Sequence, residues 1–410
     1  MRLLSALLFL TCTTTLALAE DWPAWRGPTG QGESTDTTLP LTWSATKNVK
    51  WKVPLEHQGN STPIVWKNRV FLTQANKGGT TRSLLCFDRA DGKKLWQKDV
   101  SYDMKEKNWT PDWYANASPT TDGERVVACF GSAGLFCYDF AGKELWKRTD
   151  LGTWEHSFGN SASPVIHEDL VIQWCGPNEK EGPNDLIAFN KKTGETAWKM
   201  AQPTGSWATP VLANIKGKDQ MLLGVGNFLK SFDPHTGSEL WRCEGLQSYV
   251  YPSALYSNGI AVGMSGYGKS SIALRVNGTG DLTKDRLWMH PKPANQRVGS
   301  GMIIGEHLYI IDDNGAPRCY ELTTGKNLWE SEDKLRAGTW GSIVQAKDRI
   351  YVVMKNSDTY VLAAKPQFEI LATNTIEPGG RSNSSLAISD GEIFLRTFKH
   401  LYCLKEGAKP

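Results

Sequence analysis

Charge of one sign is what this 410-residue chain lacks most clearly: 46 Lys+Arg stand against 43 Asp+Glu, a formal net charge of +3 that no lysine or arginine run concentrates. Such a balance offers no electrostatic footprint for nucleic acid or an acidic membrane. Past residue 19 no stretch approaches the roughly 18 apolar residues of a membrane-spanning helix. Nor is there a disulfide framework. Past residue 19 the cysteines are 86, 129, 137, 175, 243, 319 and 403, an odd number without framework spacing. His-Glu-x-x-His, a phosphate loop and a Gly-x-Ser-x-Gly elbow are all missing, and the seven histidines are scattered. His167 and His307 fall at predicted strand turns and are expected on the surface.

The first residues, MRLLSALLFLTCTTTLALAED, hold one early arginine, an apolar run and Ala17-Leu18-Ala19 before two acids. This is the pattern of a secretory signal peptide cleaved after Ala19, so the mature protein is expected to be periplasmic or secreted. Cys12 follows Thr11 where a small residue is usual, and apolar residues continue beyond it, so no lipid anchor is expected.

What the chain has in abundance is glycine, 39 residues, and tryptophan, 17. Many of them fall in one repeated phrase: DRADGKKLW (88–96), DFAGKELW (139–146), NKKTGETAW (190–198), DPHTGSELW (233–241) and ELTTGKNLW (321–329). The glycine supplies the left-handed conformation of a hairpin turn, and the tryptophan lies on the strand that follows. Trp51, Trp96, Trp146, Trp198, Trp241, Trp288 and Trp329 recur every 41 to 52 residues, the period of one four-stranded propeller blade. Each unit starts with a Ser/Thr/Pro-rich segment, then a short strand, a turn, an alternating strand, a third strand ending at the acid, and the tryptophan strand.

Eight such starts occur, near Ser61, Ser118, Ser163, Thr209, Ser253, Ser300, Ser342 and Ser384. The eighth unit stops after its third strand, and NVKWKVPL, with the orphan Trp51, supplies the missing one from the N-terminal side. Borrowing a strand in this way closes the ring and leaves no free sheet edge. The expected fold is all-β, an eight-bladed propeller of four-stranded antiparallel blades spanning 49–404, preceded by a signal peptide (1–19) and a strap (20–48) and followed by a tail (405–410). The fifth unit has a longer turn, RVNGTGDLTKDRLW. The seventh replaces Gly-x-x-x-Trp by AAKPQFEILA, with Phe368 near the tryptophan position. Cys86, Cys137, Cys319 and Cys403 share one place in the repeat and are expected to be small buried fillers.

The five Gly-x-x-x-Trp phrases resemble the tryptophan-docking motif of the PQQ-like repeat propellers, the eight-bladed family shared by quinoprotein alcohol dehydrogenases and the outer-membrane assembly lipoprotein BamB. EDWPAWRGPTGQGES resembles the opening of its secreted members. The resemblance implies the fold but not an activity, because this fold hosts both enzymes and scaffolds. Dehydrogenases of the family imply adjacent cysteines over the quinone and a Ca²⁺ held by Glu, Asn and Asp. This chain has no Cys-Cys pair, no Cys-x-x-Cys-His for haem and no Asp-x-Asp-x-Asp-Gly loop. Asp312-Asp313-Asn314-Gly315 reads as a hairpin turn. Neither PQQ, calcium nor another metal is expected.

The informative remainder is aromatic and polar. Trp22, Trp25 and Trp43 belong to the strap. Trp109, Trp113, Trp154, Trp207 and Trp340 fall in connections from a fourth strand to the next first strand, which share one face of a propeller and run toward its channel. Tyr114, Asn116, Asn160, Tyr251, Arg297, Arg381 and Asn383 lie at or near the leads into inner strands. His156, beside Glu155, adds an imidazole and a carboxylate in one loop. Together they describe a funnel mouth for a ligand, with no catalytic residue assigned. Three readings follow: a non-catalytic exported scaffold for a protein or polysaccharide partner in the cell envelope, a carbohydrate-binding or carbohydrate-processing protein, and a quinoprotein oxidoreductase with an atypical site.

Overall fold

Alternating sequences separated by tight turns become antiparallel hairpins. In the first repeat Ile64–Trp66 pairs with Arg69–Ala75, that strand with Thr81–Asp88, and that in turn with Lys94–Ser101. Seven more sheets repeat the pattern, making an eight-bladed β-propeller. The computed structural model describes residues 20–104, 106, 114–178, 182, 184–247, 249–267, 270–290, 297–331 and 335–409. The proposed signal peptide, Trp109 and Trp113 lie outside the described residues. Among those described, the helical elements are two single turns, Gly131–Ala133 and Thr283–Asp285, and no helix is long and apolar enough to cross a membrane.

The eighth blade is completed as expected. Val49–Pro54 runs antiparallel to His400–Lys405, with Trp51 opposite Cys403. A clamp reinforces the seam: the buried Glu392 carboxylate of blade 8 accepts from Lys50 of the borrowed strand at 2.6 Å and from Arg89 of blade 1 at 2.7 Å. Among the described residues two blades carry a fifth strand. Glu33–Ser34 of the strap adds in parallel to the inner edge of blade 7, and Gly280–Asp281, from the long fifth-unit turn, adds in parallel to the outer edge of blade 4.

The core lies between blades. Ile64, Phe71, Leu84 and Cys86 of blade 1 interlock with Val126, Ala128, Phe136 and Tyr138 of blade 2. All seven cysteines of the described residues are free and buried. The repeat glycine has a second reason to exist. A Cβ on Gly92, Gly142, Gly194, Gly237 or Gly325 would meet the indole of Trp51, Trp96, Trp146, Trp198 or Trp288, each from the preceding blade. The same five indoles donate to carbonyls of that next blade, those of Arg89, Phe140, Lys191, Pro234 and Leu322, at 2.7 to 3.1 Å. The turn thus needs glycine both for its positive φ and for the ring lying on it. Trp241 faces the irregular fifth unit and donates instead to Gln220 of its own blade, at 2.9 Å, while Trp329 packs on Phe368 at 5.3 Å.

Two expectations from the turns need correction or refinement. His167 is not at the surface: it ends the inner strand Val165–His167 and is 8% exposed, because the neighbouring blade covers that strand end. Asp312 does make a turn, accepting from the N–H of Asn314 and Ala316 at 2.9 Å, but it is fully buried and also pairs with Arg318 at 3.1 Å.

Candidate functional site

The Ser/Thr/Pro starts form a belt around the channel. The N–H of Thr62 donates to Ser118 Oγ, that of Ser118 to Ser163 Oγ and that of Ser163 to Thr209 Oγ1, at 2.8 to 3.0 Å. Ser253 Oγ donates back to the Thr209 carbonyl at 2.7 Å. The sequence resumes with Ser253 to Ser300, Ser300 to Ser342 and Ser342 to Ser385 at 2.9 to 3.0 Å, and Ser385 to Thr62 at 3.2 Å closes the circle. At the seven steps made by an N–H the hydroxyl is needed because that buried donor would otherwise lack an acceptor. The belt runs through Thr62 and Ser385, one residue past the Ser61 and Ser384 expected.

Two residues before each belt residue stands a second ring, and all eight of its members line the cavity at the channel mouth: Asn60, Asn116, Ser161, Trp207, Tyr251, Val298, Trp340 and Asn383. Alternation along an extended chain places both rings on the channel side. The residue between them turns into the blade contact and is small in every blade: Ser61, Ala117, Ala162, Ala208, Pro252, Gly299, Gly341 and Ser384. At Gly299 a Cβ would lie 2.3 Å from the Gly341 carbonyl oxygen, which shows how closely the backbones approach there.

The second ring has two halves. Blades 8, 1, 2 and 3 contribute a polar arc in which Asn383 donates to Asn60 at 3.2 Å, Asn60 to Asn116 at 2.7 Å, and Asn116 to the Asn160 carbonyl at 2.9 Å. Blades 4 to 7 contribute an apolar arc. Trp207 packs on Tyr251 at 4.7 Å and on the edge of His156 at 4.5 Å, and Tyr267 meets Tyr251 at 5.2 Å and Phe158 at 5.5 Å. Trp207 is held by its indole N–H, which donates to the Gly159 carbonyl at 2.8 Å. Behind Trp340, outside the lining, Lys355 Nζ stands 4.9 Å over its ring and pairs with Asp313. Burial, reinforced by Tyr267 and Tyr249, pushes the Tyr251 hydroxyl well above its ordinary value, so it stays a neutral donor, and its oxygen is buried without a hydrogen-bond partner. The cavity holds about 150 Å³, and among the described residues none of its lining side chains carries a charge.

The strap floors this cavity. Trp22 pairs with Val65 of blade 1, the Pro23 carbonyl accepts from Thr121 of blade 2, Gln31 accepts from Tyr256 of blade 5, and Gly32 accepts from Gln345 of blade 7. Arg26, wholly buried, donates to the Gly301 carbonyl of blade 6 at 2.8 Å, and Ser389 of blade 8 donates to the Glu20 carbonyl at 2.6 Å. Trp25, between these anchors, lines the channel from below. Desolvation lowers Arg26 to about 9, which leaves it a cation at neutral pH.

Of the residues expected at the mouth, Asn116, Trp207, Tyr251, Trp340 and Asn383 line the cavity. The others stand elsewhere. Asn160 contributes its carbonyl rather than its side chain, being one residue out of phase with the ring. Arg297, equally out of phase, is 2% exposed and donates to Ser270 and Ser271 of blade 5. Arg381 is exposed and stacks on Phe398 at 5.0 Å, and Tyr114 stacks under Arg82 at 4.9 Å. Trp154 is a core residue, 2% exposed, whose indole donates to Leu151. Glu155 and His156 part company: the carboxylate is exposed, whereas the imidazole is buried against Trp207 and accepts from the Phe158 N–H at 3.1 Å. Asn60, Ser161, Val298, Phe158, Tyr267 and Trp25 were missed. The first three carry a signal, their place two residues before a belt hydroxyl.

Comparison with known proteins agrees with this architecture. The sequence profile of the family described as outer membrane protein assembly factor BamB matches residues 34–106 and 81–331. The chain is 22% identical over 342 residues to outer membrane protein assembly factor BamB of Burkholderia pseudomallei (strain K96243), covering 77% of this chain and 80% of the relative. In structure it resembles BamB from Moraxella catarrhalis, with TM-score 0.62 and 15% identity over 88% of this chain and 99% of the other. It also resembles quinohemoprotein alcohol dehydrogenase from Comamonas testosteroni, with TM-score 0.71 and 13% identity over 95% of this chain and 82% of the other. At such identities the two solved structures speak to fold alone.

Proposed function

We propose that this chain, which belongs to the PQQ-like repeat propeller family described as outer membrane protein assembly factor BamB, is a non-catalytic scaffold of the cell envelope that receives an uncharged, amphipathic stretch of a protein or polymer partner at its channel mouth. Export by residues 1–19 is part of this reading, as is the assembly role named for its relatives. The observation that carries it is the lining itself: amides and hydroxyls on one arc, aromatic faces on the other, no charged side chain among the described lining residues, and Trp25 of the strap beneath. Rigid aromatic faces provide contact area at small entropic cost, and an amide arc fixes hydroxyl or peptide groups.

That same lining favours a neutral glycan as the second reading, since a sugar ring offers an apolar face and a hydroxyl edge. It does not fit the quinone cofactor implied by the dehydrogenases. PQQ carries carboxylates and works with Ca²⁺, which takes six to eight oxygen ligands. Among the described residues lining the cavity there is neither a cationic side chain for the former nor a carboxylate for the latter.

The test uses immobilised protein as bait against an envelope extract, beside Trp340→Ala and Asn383→Ala. A partner central to the site is captured by the unaltered chain and weakened by each variant by roughly 30-fold, about 2 kcal/mol. Equal capture by all three, with melting curves unchanged, would remove the mouth from the function. A glycan array separates the two readings.

A further inference from the structure

Away from the channel, where blade 3 meets blade 4, three side chains with ligating atoms converge from two blades, and a fourth, Asp219, stands beside one of them. We propose that His167 and Glu168 of blade 3 with Asp219 and His235 of blade 4 form a binding site for a divalent transition metal, Zn²⁺ by ligand type, which clips the two blades together. His167, Glu168 and His235 each offer one ligand atom, all within 4.8 Å of one another. The two imidazoles are 5.1 Å apart, His235 Nδ1 is 4.0 Å from Glu168 Oε2, and His167 Nε2 is 4.0 Å from Asp219 Oδ2.

The strongest pointer is His167. The residue is 8% exposed, and its Nε2 is buried with no hydrogen-bond partner, although Asp219 stands just beyond hydrogen-bond range. A buried polar nitrogen left this way is unfavourable, and a metal ion would satisfy it. The surroundings prepare the other donors. Asn214 Nδ2 donates to Asp219 Oδ1 at 2.7 Å, which leaves Oδ2 toward His167, the kind of outer contact that orients a ligating carboxylate. The His235 N–H donates to Asp233 Oδ1 at 2.7 Å, fixing the turn that presents the imidazole.

Zinc bonds of about 2.0–2.1 Å in a tetrahedron put ligand atoms roughly 3.3 Å apart. The cluster therefore has to contract by about an ångström or more. The side chains of Glu168 and His235, 66% and 53% exposed, have the freedom to make that movement. Two imidazoles with two carboxylates suit Zn²⁺, Cu²⁺ or Ni²⁺ and give the oxygen-preferring Ca²⁺ and Mg²⁺ only half a shell.

The experiment is calorimetric titration of ZnCl₂ into the untagged, chelator-stripped full chain, with Co²⁺ absorption as a readout of geometry. One Zn²⁺ per chain at micromolar affinity or tighter, a raised melting temperature and the visible bands of tetrahedral Co²⁺ are expected. The exposed ligands are removed by His235→Ala and Glu168→Gln, which keep the metal-free melting temperature and weaken Zn²⁺ at least tenfold. His307→Ala, at a half-buried position in blade 6 far from the cluster in the fold, leaves it unchanged. Failure to saturate, equal affinity in the His235→Ala/Glu168→Gln double variant, or Mg²⁺ bound as tightly as Zn²⁺ would each overturn the site.

Discussion

Trp146 and Gly194 test the claim that each blade stands on the turn of the next. Trp146 is 8% exposed, donates to the Lys191 carbonyl at 2.9 Å, and lies where a Cβ on Gly194 would come 2.8 Å from its ring. A buried tryptophan withdraws on the order of 200 Å² from water, which at about 25 cal/mol per Å² bounds its contribution near 5 kcal/mol. Trp146→Ala is therefore expected to cost about 3–5 kcal/mol. Gly194→Ala meets two penalties, since φ is +75°, where a side chain costs about 1–2 kcal/mol, and the indole must also be displaced. Without Trp146 only the first penalty remains. The double variant should thus be less destabilised than the sum of the singles by about 1–3 kcal/mol. Urea unfolding followed by tryptophan fluorescence and circular dichroism, with m-values compared, measures all four proteins. Additivity within about 0.5 kcal/mol would refute the interlock.

Deleting residues 20–56 removes both the borrowed strand and the channel floor, and should give aggregation or a large fall in melting temperature, read by size exclusion and calorimetry; an unchanged melt would reject the closure. Ser342→Ala strips the acceptor from the buried Ser300 N–H and should cost about 1–3 kcal/mol, with faster exchange at that amide. Burial alone would raise the Glu392 carboxyl, but its hydrogen bonds from Lys50 and Arg89 outweigh this and hold it below the ordinary glutamate value. Its stabilisation is complete above the unfolded value of about 4.3 and is lost as pH falls through the lower folded one, so Glu392→Gln should flatten the acid limb of a stability-against-pH curve. Arg297→Ala should lower the melting temperature, because Arg297 is buried between blades and donates to Ser270 and Ser271.

Blade number, strand order and closure were legible in the sequence because their causes are local: a glycine at a turn, alternation along a strand, a tryptophan at a set distance, and one strand missing from the last unit. The channel lining was half legible. Parity relative to the belt hydroxyls selects Asn60, Asn116, Trp207, Tyr251, Trp340 and Asn383 and excludes Asn160 and Arg297, but that belt is visible only once the ring has closed and Ser385 has met Thr62. What only the tertiary structure decided are the contacts between residues far apart along the chain. Arg26 reaches Gly301, 275 residues away, and turns the open channel into a floored cavity. His167 meets His235 because blades 3 and 4 stand side by side, and Trp154 turns into the core instead of the mouth. Such encounters follow from the rigid placement of whole blades around one axis, to which no single segment carries a local signal.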